Sequence, residues 1–273
     1  MEKYKEENNL NMYLNPEVAK TFAEREQNEK HRQVAEAVDE VLMRVSRNMT
    51  KPLKVAELGG GAHPDRYHKL FSVLLQSPGS KIDWVDTSAP MLDEAKQYLS
   101  QPEYSVRKRV INFIKKDIFQ YLKNADDNSI DIAIMKYTFE YIQNIKRLFT
   151  LLKRKLKEGG VLVATVNTNP RLPSHSTNVR FFYKGQPIPD GEERILKDGD
   201  KVVFKFFTES GNPQADYLPG AETFRYFHSA DKIKTLAEQF GFDIFLGDWK
   251  DFVGNDRQAD NKLDQEILVL INK

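Results

Sequence analysis

Lys54-Val55-Ala56-Glu57-Leu58-Gly59-Gly60-Gly61-Ala62-His63-Pro64 is the stretch on which the fold turns. Val55, Ala56 and Leu58 suit a strand buried on both faces. The glycines that follow let the backbone bend sharply and pass close to a ligand with no Cβ in the way. Pro64 and Asp65 are helix-start signals, so the stretch reads as strand, glycine turn, helix, with a ligand at the carboxyl end of the strand. A dinucleotide fingerprint would need a glycine where Pro64 stands, and a phosphate-binding P-loop would need Gly-Lys-Ser/Thr, which occurs nowhere in the chain.

Working outward, Lys81–Asp86 is the second strand, and Asp86 at its carboxyl end stands where an acidic side chain accepts hydrogen bonds from ribose hydroxyls. Val110–Lys116 is the third strand, followed by Asp117-Ile118-Phe119. Ser129–Lys136 is the fourth and Val161–Val166 the fifth. Between the last two, Asn144–Lys157 alternates Lys and Arg with Ile and Leu, which is the pattern of an amphipathic outer helix, and Gly159-Gly160 is expected to end it. Beyond residue 229, a helix over 230–240 leads to strands at 242–249 and 263–271.

The acid two positions before the first glycine, Glu57-Leu58-Gly59-Gly60-Gly61, resembles motif I of the class I S-adenosylmethionine-dependent methyltransferases. Asp86-Thr87-Ser88-Ala89-Pro90-Met91-Leu92 resembles motif II, and Ile130–Met135 resembles motif IV, whose end faces the reacting methyl. The resemblance covers about residues 50–166 and 229–273. It implies a Rossmann-like α/β fold with a seven-stranded sheet in the order 3-2-1-4-5-7-6, the last strand antiparallel. It implies S-adenosyl-L-methionine as cofactor, held by Glu57, Gly59, Gly60, Gly61, His63, Asp86, Thr87, Met91, Asp117, Ile118, Phe119, Lys136 and Tyr137. Within that set Asp86 meets the ribose, Asp117 the adenine amino group, and Ile118 or Phe119 covers the ring. His63 reaches the methionine end, against the competing reading of a loop histidine facing solvent. Met135-Lys136-Tyr137-Thr138 replaces the Asp/Asn-Pro-Pro-Tyr/Phe string of members that methylate amides or adenine, which speaks against that subclass.

Residues 1–50 are read as an N-terminal helical cap beginning at Asn15-Pro16, and the family's amino-terminal lids make Tyr13, Phe22 and Arg25 lid candidates. Residues 167–228 break the βα rhythm and read as an antiparallel β insertion, a substrate lid beside the cofactor cleft. His175, His228, Tyr183 and Tyr226 are its candidate catalytic residues, of which about one is expected to touch substrate. Tyr137, Glu140 and Tyr141 are candidates for the substrate side.

The 41 Lys and Arg against 40 Asp and Glu leave a formal charge of +1, which removes the global basic field expected of a nucleic-acid binder. No cysteine occurs, so disulfides, thiolate metal sites and a cysteine nucleophile are excluded, and no metal is expected. The polar amino terminus and the lack of a long apolar run predict a soluble, cytoplasmic protein with no membrane partner. The expected activity is methyl transfer to a small-molecule acceptor by in-line displacement, driven by proximity and desolvation. RNA or protein methylation, and a non-catalytic ligand-binding module on the same fold, are the alternatives.

Overall fold

The computed structural model describes residues 13, 16, 18–20, 29–176, 179–209, 212–248 and 265–273. Residues 16 and 18–20 of the helix expected from Asn15 are described and are helical, whereas the lid candidates Phe22 and Arg25, Trp249 and the first residues expected of the last strand lie outside the described residues.

Seven strands form the central sheet: β1 (Lys54–Leu58), β2 (Lys81–Asp86), β3 (Ile111–Lys115), β4 (Ile130–Met135), β5 (Leu156–Val166), β12 (Phe242–Asp248) and β13 (Glu266–Asn272). Their order is β3-β2-β1-β4-β5-β13-β12, with β13 antiparallel to both of its neighbours and the first five strands parallel. This is the expected order and the expected antiparallel strand. Every residue of β4 is buried, as a strand covered on both faces requires.

Helices cover both faces: α1 (Glu29–Arg47), α2 (His68–Leu75), α3 (Ala89–Tyr98), α4 (Ile118–Asn124), α5 (Ile145–Lys155) and α6 (Ala230–Gln239). One core layer joins α1 and α2 to Val55, Ile82, Trp84 and Ile132, and the other joins α4, α5 and α6 to Ala56, Val85, Ala133 and Leu162. These alternate residues point to opposite faces of the sheet.

Tyr67, at the start of α2, offers no side-chain cap. Asp39 of α1 supplies one from a distance, its carboxylate accepting from the Lys69 amide at 2.8 Å and the Leu70 amide at 3.0 Å. Burial raises the pKa of this carboxyl above its ordinary value, against those two backbone bonds, which favour the charge. Asp39→Ala is expected to cost about 1–2 kcal/mol, as loss of a helix cap does, and a urea midpoint unchanged from wild type would contradict the assigned role.

Gly159-Gly160 does not end a helix. Strand β5 starts earlier, at Leu156, and the glycines form a bulge inside it: Ile130 pairs with Leu156 while Ile132 already pairs with Val161. Gly159 takes φ +71°, which a glycine adopts without strain. Helix α4 was absent from the sequence reading because its short apolar run, IFQYLKN, is less than two full turns of pattern.

Between β5 and α6 lie β6 (Arg171–Pro173), β7 (Val179–Tyr183), β8 (Gln186–Pro187), β9 (Glu193–Ile195), β10 (Lys201–Phe207) and β11 (Tyr217–Tyr226). They make a four-stranded sheet, β11-β10-β7-β8, and a separate β6-β9 pair, antiparallel throughout. One face of the larger sheet carries Phe181, Val202 and Phe204, packed with Leu172 and Ile188 in a core of its own. No helix among the described residues is long and apolar enough to cross a membrane.

Candidate functional site

The carboxyl ends of β3, β2, β1 and β4 lie side by side, so residues just beyond them share one edge of the sheet. At about 4.8 Å per strand spacing, that edge runs roughly 15 Å. Asp117 follows β3, Asp86 ends β2, Gly59–Gly61 follow β1, and Lys136 and Tyr137 follow β4.

The glycine bend hangs from β2. The amides of Gly59 and Gly60 both donate to the Val85 carbonyl, at 2.8 and 3.0 Å. The amide of Gly61 donates to Asp86 Oδ2 at 3.0 Å, and Asp86 Oδ1 accepts from the Ser88 amide at 2.8 Å. Each glycine has its own reason. Gly59 and Gly61 have φ of +83° and +60°, and a Cβ on Gly60 would lie 2.3 Å from Trp84 Nε1. That indole is fully buried and donates to the Gly61 carbonyl at 2.9 Å, so it has nowhere to retreat.

Glu57 lies beneath the bend, 1% exposed. Tyr67 donates its hydroxyl proton to Glu57 Oε1 at 3.2 Å, while Oε2 has no partner among the described residues. Burial pushes the Glu57 carboxyl up to about 8, against the attraction of Lys136, which is itself buried with Nζ 5.4 Å from the Tyr67 ring centroid. Tyr137 turns the chain after β4 with φ +57°, an uncommon conformation for an aromatic residue. Its amide donates to Thr165 Oγ1 at 2.7 Å and its ring lies 5.0 Å from that of His31. Thr138 then packs on the bend and donates to the Gly59 carbonyl at 3.3 Å.

The residues present fit the cofactor implied by the sequence. An unpartnered buried carboxylate oxygen on Glu57 and a buried Thr87 hydroxyl without a partner among the described residues lie next to the bend. Such orphans are costly unless a ligand satisfies them. A carboxylate at this end suits a cationic amino acid and sulfonium, and Asp86 at the neighbouring strand tip suits ribose hydroxyls. Met91 approaches within 3.5 Å of where a Gly61 Cβ would be, and Asp117 caps α4 through Oδ1, which accepts from the Phe119 and Gln120 amides at 2.8 and 3.1 Å. Phe119 is buried and stacked under the Arg147 guanidinium at 4.3 Å, leaving the half-buried Ile118 as the more open of the two apolar side chains there.

His63 is placed differently from the expectation. It is 4% exposed, its ring meets Tyr98 edge-on, and Nδ1 lies 3.4 Å from Asp65. It is buried against Tyr98 of helix α3 and does not face the solvent. Arg107 fastens the same turn by donating to the carbonyls of Pro64 and Asp65 at 3.3 and 2.9 Å.

The four candidate catalytic residues of the insertion do not converge. Tyr183 donates to Asp200 Oδ2 at 2.9 Å in the turn before β10. His175 pairs with Arg180 in a single β-bridge. Tyr226 is buried with its ring edge-on to Phe224. His228 donates from Nε2 to the Ile142 carbonyl at 2.8 Å, and its burial lowers its pKa, against the backbone bond that raises it, so it stays neutral.

What the fold brings to the bend instead is Tyr13, which in turn meets Tyr141, a neighbour of Arg225 and its partner Glu140. The Ser88 hydroxyl donates to the Tyr13 carbonyl, and the Tyr13 and Tyr141 hydroxyls are 3.3 Å apart. Tyr13 therefore spans from the β2 tip to the turn after β4. With Val18 and Ala19 it packs on Ala62, Met91 and Ala221 of β11, joining the amino-terminal segment, the bend and the insertion in one cluster. Arg225 gives no local signal in the sequence, where it stands in an alternating strand beside the candidate Tyr226.

Comparison with known proteins agrees with this geometry. Residues 67–164 match the family described as methyltransferase domain. Malonyl-[acyl-carrier protein] O-methyltransferase 2 of Ilyobacter polytropus is 33% identical over 91 residues, which are 33% of this chain and 32% of that protein. Malonyl-[acyl-carrier protein] O-methyltransferase of a Paenibacillus species is 28% identical over 151 residues, 55% of this chain and 51% of that protein. The chain thus spans about a third to a half of the length of these relatives. Among solved structures, an S-adenosylmethionine-dependent methyltransferase of Clostridium acetobutylicum superposes with a TM-score of 0.54 at 15% identity, covering 93% of this chain and 98% of that one. One from Mesorhizobium loti gives 0.51 at 14% identity, covering 84% and 95%. At such identities these two structures speak for the fold alone.

Proposed function

Because the chain carries the class I S-adenosylmethionine-dependent methyltransferase domain, we propose that it transfers a methyl group from S-adenosylmethionine to a small acceptor, either free or borne on a carrier. The observation that carries this reading is the glycine bend fastened to Asp86, with the orphaned oxygen of Glu57 beneath it. The bound cofactor supplies the electrophilic methyl group. The chain's own residues bind, orient and exclude water. Asp86 holds the ribose, the bend lets backbone approach the amino-acid end, and the cluster of Tyr13, Val18, Met91 and Ala221 closes the cleft against solvent. Excluding water and fixing distance are the main levers available to such a transfer.

The names of the curated relatives support an acyl acceptor of the malonyl type. The near-zero net charge supports a small acceptor over RNA.

Titration calorimetry with S-adenosylhomocysteine tests the reading. Wild type is expected to bind, and Asp86→Ala to bind about 100-fold more weakly, since hydrogen bonds to a charged group are worth about 1.5–3 kcal/mol. Absence of binding by wild type, or equal binding by Asp86→Ala, would overturn it.

A further inference from the structure

Arg225 reaches from β11 of the insertion to the turn that follows β4. Its NH1 forms an ion pair with Glu140 Oε2 at 2.7 Å, and Glu140 Oε1 accepts from Gln265 Nε2 at 3.0 Å. Both Glu140 oxygens are therefore engaged, and Glu140 is 7% exposed at its side chain. The guanidinium is sandwiched between Phe204 and Tyr141, with Cζ 5.1 and 5.7 Å from their ring centroids. Burial disfavours its charge, yet the Glu140 carboxylate and the Tyr141 hydroxyl outweigh this and raise its pKa, so it is cationic at any working pH.

Its Nε is buried and has no partner among the described residues. A guanidinium presents donors in a fixed fork, and the edge containing Nε matches a carboxylate geometrically. A buried N–H left unpaired is expensive. Beside Arg225 stands Tyr141, whose hydroxyl lies 3.3 Å from that of Tyr13, and Tyr13 is also fastened to Ser88 beside the tip of β2. Arg225 is thus linked, through Tyr141 and Tyr13, to Ser88 and Ala62 beside the glycine bend.

We propose that Arg225, with the Tyr13 and Tyr141 hydroxyls, binds the acceptor, and that the acceptor carries a carboxylate. This rests on the methyltransferase reading and narrows it. A carboxylate held through one oxygen keeps the other free as nucleophile. That oxygen forms the new bond to the methyl carbon as the carbon–sulfur bond breaks, the electron pair stays on sulfur, and no proton moves. The surroundings suit such chemistry. His228 is neutral and bonded to a carbonyl, Tyr183 is bonded to Asp200, and a carboxylate acceptor needs no general base.

The test uses the full chain saturated with S-adenosylhomocysteine, with malonyl-N-acetylcysteamine and its methyl ester as calorimetric probes. Labelled methyl transfer to a panel of short mono- and dicarboxylic acids, alcohols and amines runs alongside. Wild type is expected to bind the acid at least tenfold more tightly than the ester. Arg225→Gln is expected to lose that preference and raise KM for acids at least tenfold, with S-adenosylhomocysteine affinity unchanged. Arg225→Lys is expected to recover only part of it, since an ammonium lacks the fork. Arg225→Gln leaves the buried Glu140 charge with Gln265 but without its countercharge, so the double variant Glu140→Gln/Arg225→Gln, which removes both charges, is measured too and is expected to keep the fold and the same defect. Equal handling of acids by wild type and both glutamine variants, or a wild-type preference for alcohols or amines over every acid, overturns the proposal. Failure of wild type to bind S-adenosylhomocysteine overturns the reading beneath it and this proposal with it.

Discussion

Gly60→Ala is expected to lower the melting temperature by roughly 4–16 °C and to weaken S-adenosylhomocysteine binding by about 100-fold or more. A Cβ there would stand 2.3 Å from Trp84 Nε1 and 2.4 Å from Cε2, both belonging to a buried ring whose N–H is bonded to Gly61. Overpacking of this kind costs about 1–3 kcal/mol, and losing the indole hydrogen bond adds about 1 kcal/mol. For a chain of this length each kcal/mol corresponds to about 2–4 °C. The binding loss follows because the bend cannot shift without dragging the amides of Gly59 and Gly60 off the Val85 carbonyl. Trp84→Phe in the same chain makes room at that position and is expected to recover part of the lost stability. Scanning calorimetry of wild type, Gly60→Ala and the double variant checks this, and a Gly60→Ala protein as stable as wild type would refute the packing argument.

Glu57 is expected to make both stability and ligand affinity depend on pH, with opposite signs. Its carboxyl is pushed up to about 8 by burial, from an ordinary value near 4.5. The folded protein therefore holds this proton more tightly than the unfolded chain does. The resulting stabilisation is complete below about pH 4.5 and is lost as pH rises through 8. It amounts to a few kcal/mol, roughly 1.4 kcal/mol for each unit between the two values. Glu57→Gln keeps the shape without the titration, so its unfolding free energy is expected to lack that slope between pH 5 and 8. Ligand binding runs the other way. A ligand bearing an ammonium favours the ionised carboxylate, so S-adenosylhomocysteine affinity rises with pH toward 8 and binding at pH 7 releases a proton. Calorimetry in two buffers of different ionisation enthalpy reads that release directly, and identical proton counts for wild type and Glu57→Gln would remove Glu57 from the ligand's surroundings.

The central fold was legible because its signals are local. Lys81–Asp86 is β2 to the residue, and the glycine stretch, the two following acids and the final pair of strands keep their expected order along the sheet. The boundaries that moved did so for tertiary reasons. The Gly159-Gly160 pair ends helices in many sequences, but here β4 offers its edge to Leu156 before the glycines arrive. The candidate site was legible on the cofactor side, where each residue follows a strand, and poorly legible on the acceptor side. Tyr13, Glu140 and Arg225 come from three distant parts of the chain, and nothing in the local pattern of any one of them announces the others. His63 looked like a loop histidine because its partner Tyr98 is a helix away, at the far end of α3.

The Val85 carbonyl has a consequence for anyone wishing to re-tune this protein. One oxygen atom anchors two bend amides, and the next residue in the chain is the acid that fastens the third. All three glycines of the bend are in this way soldered to a single peptide unit. Neither half of the cradle can be redesigned alone, and changes made to the two will not sum.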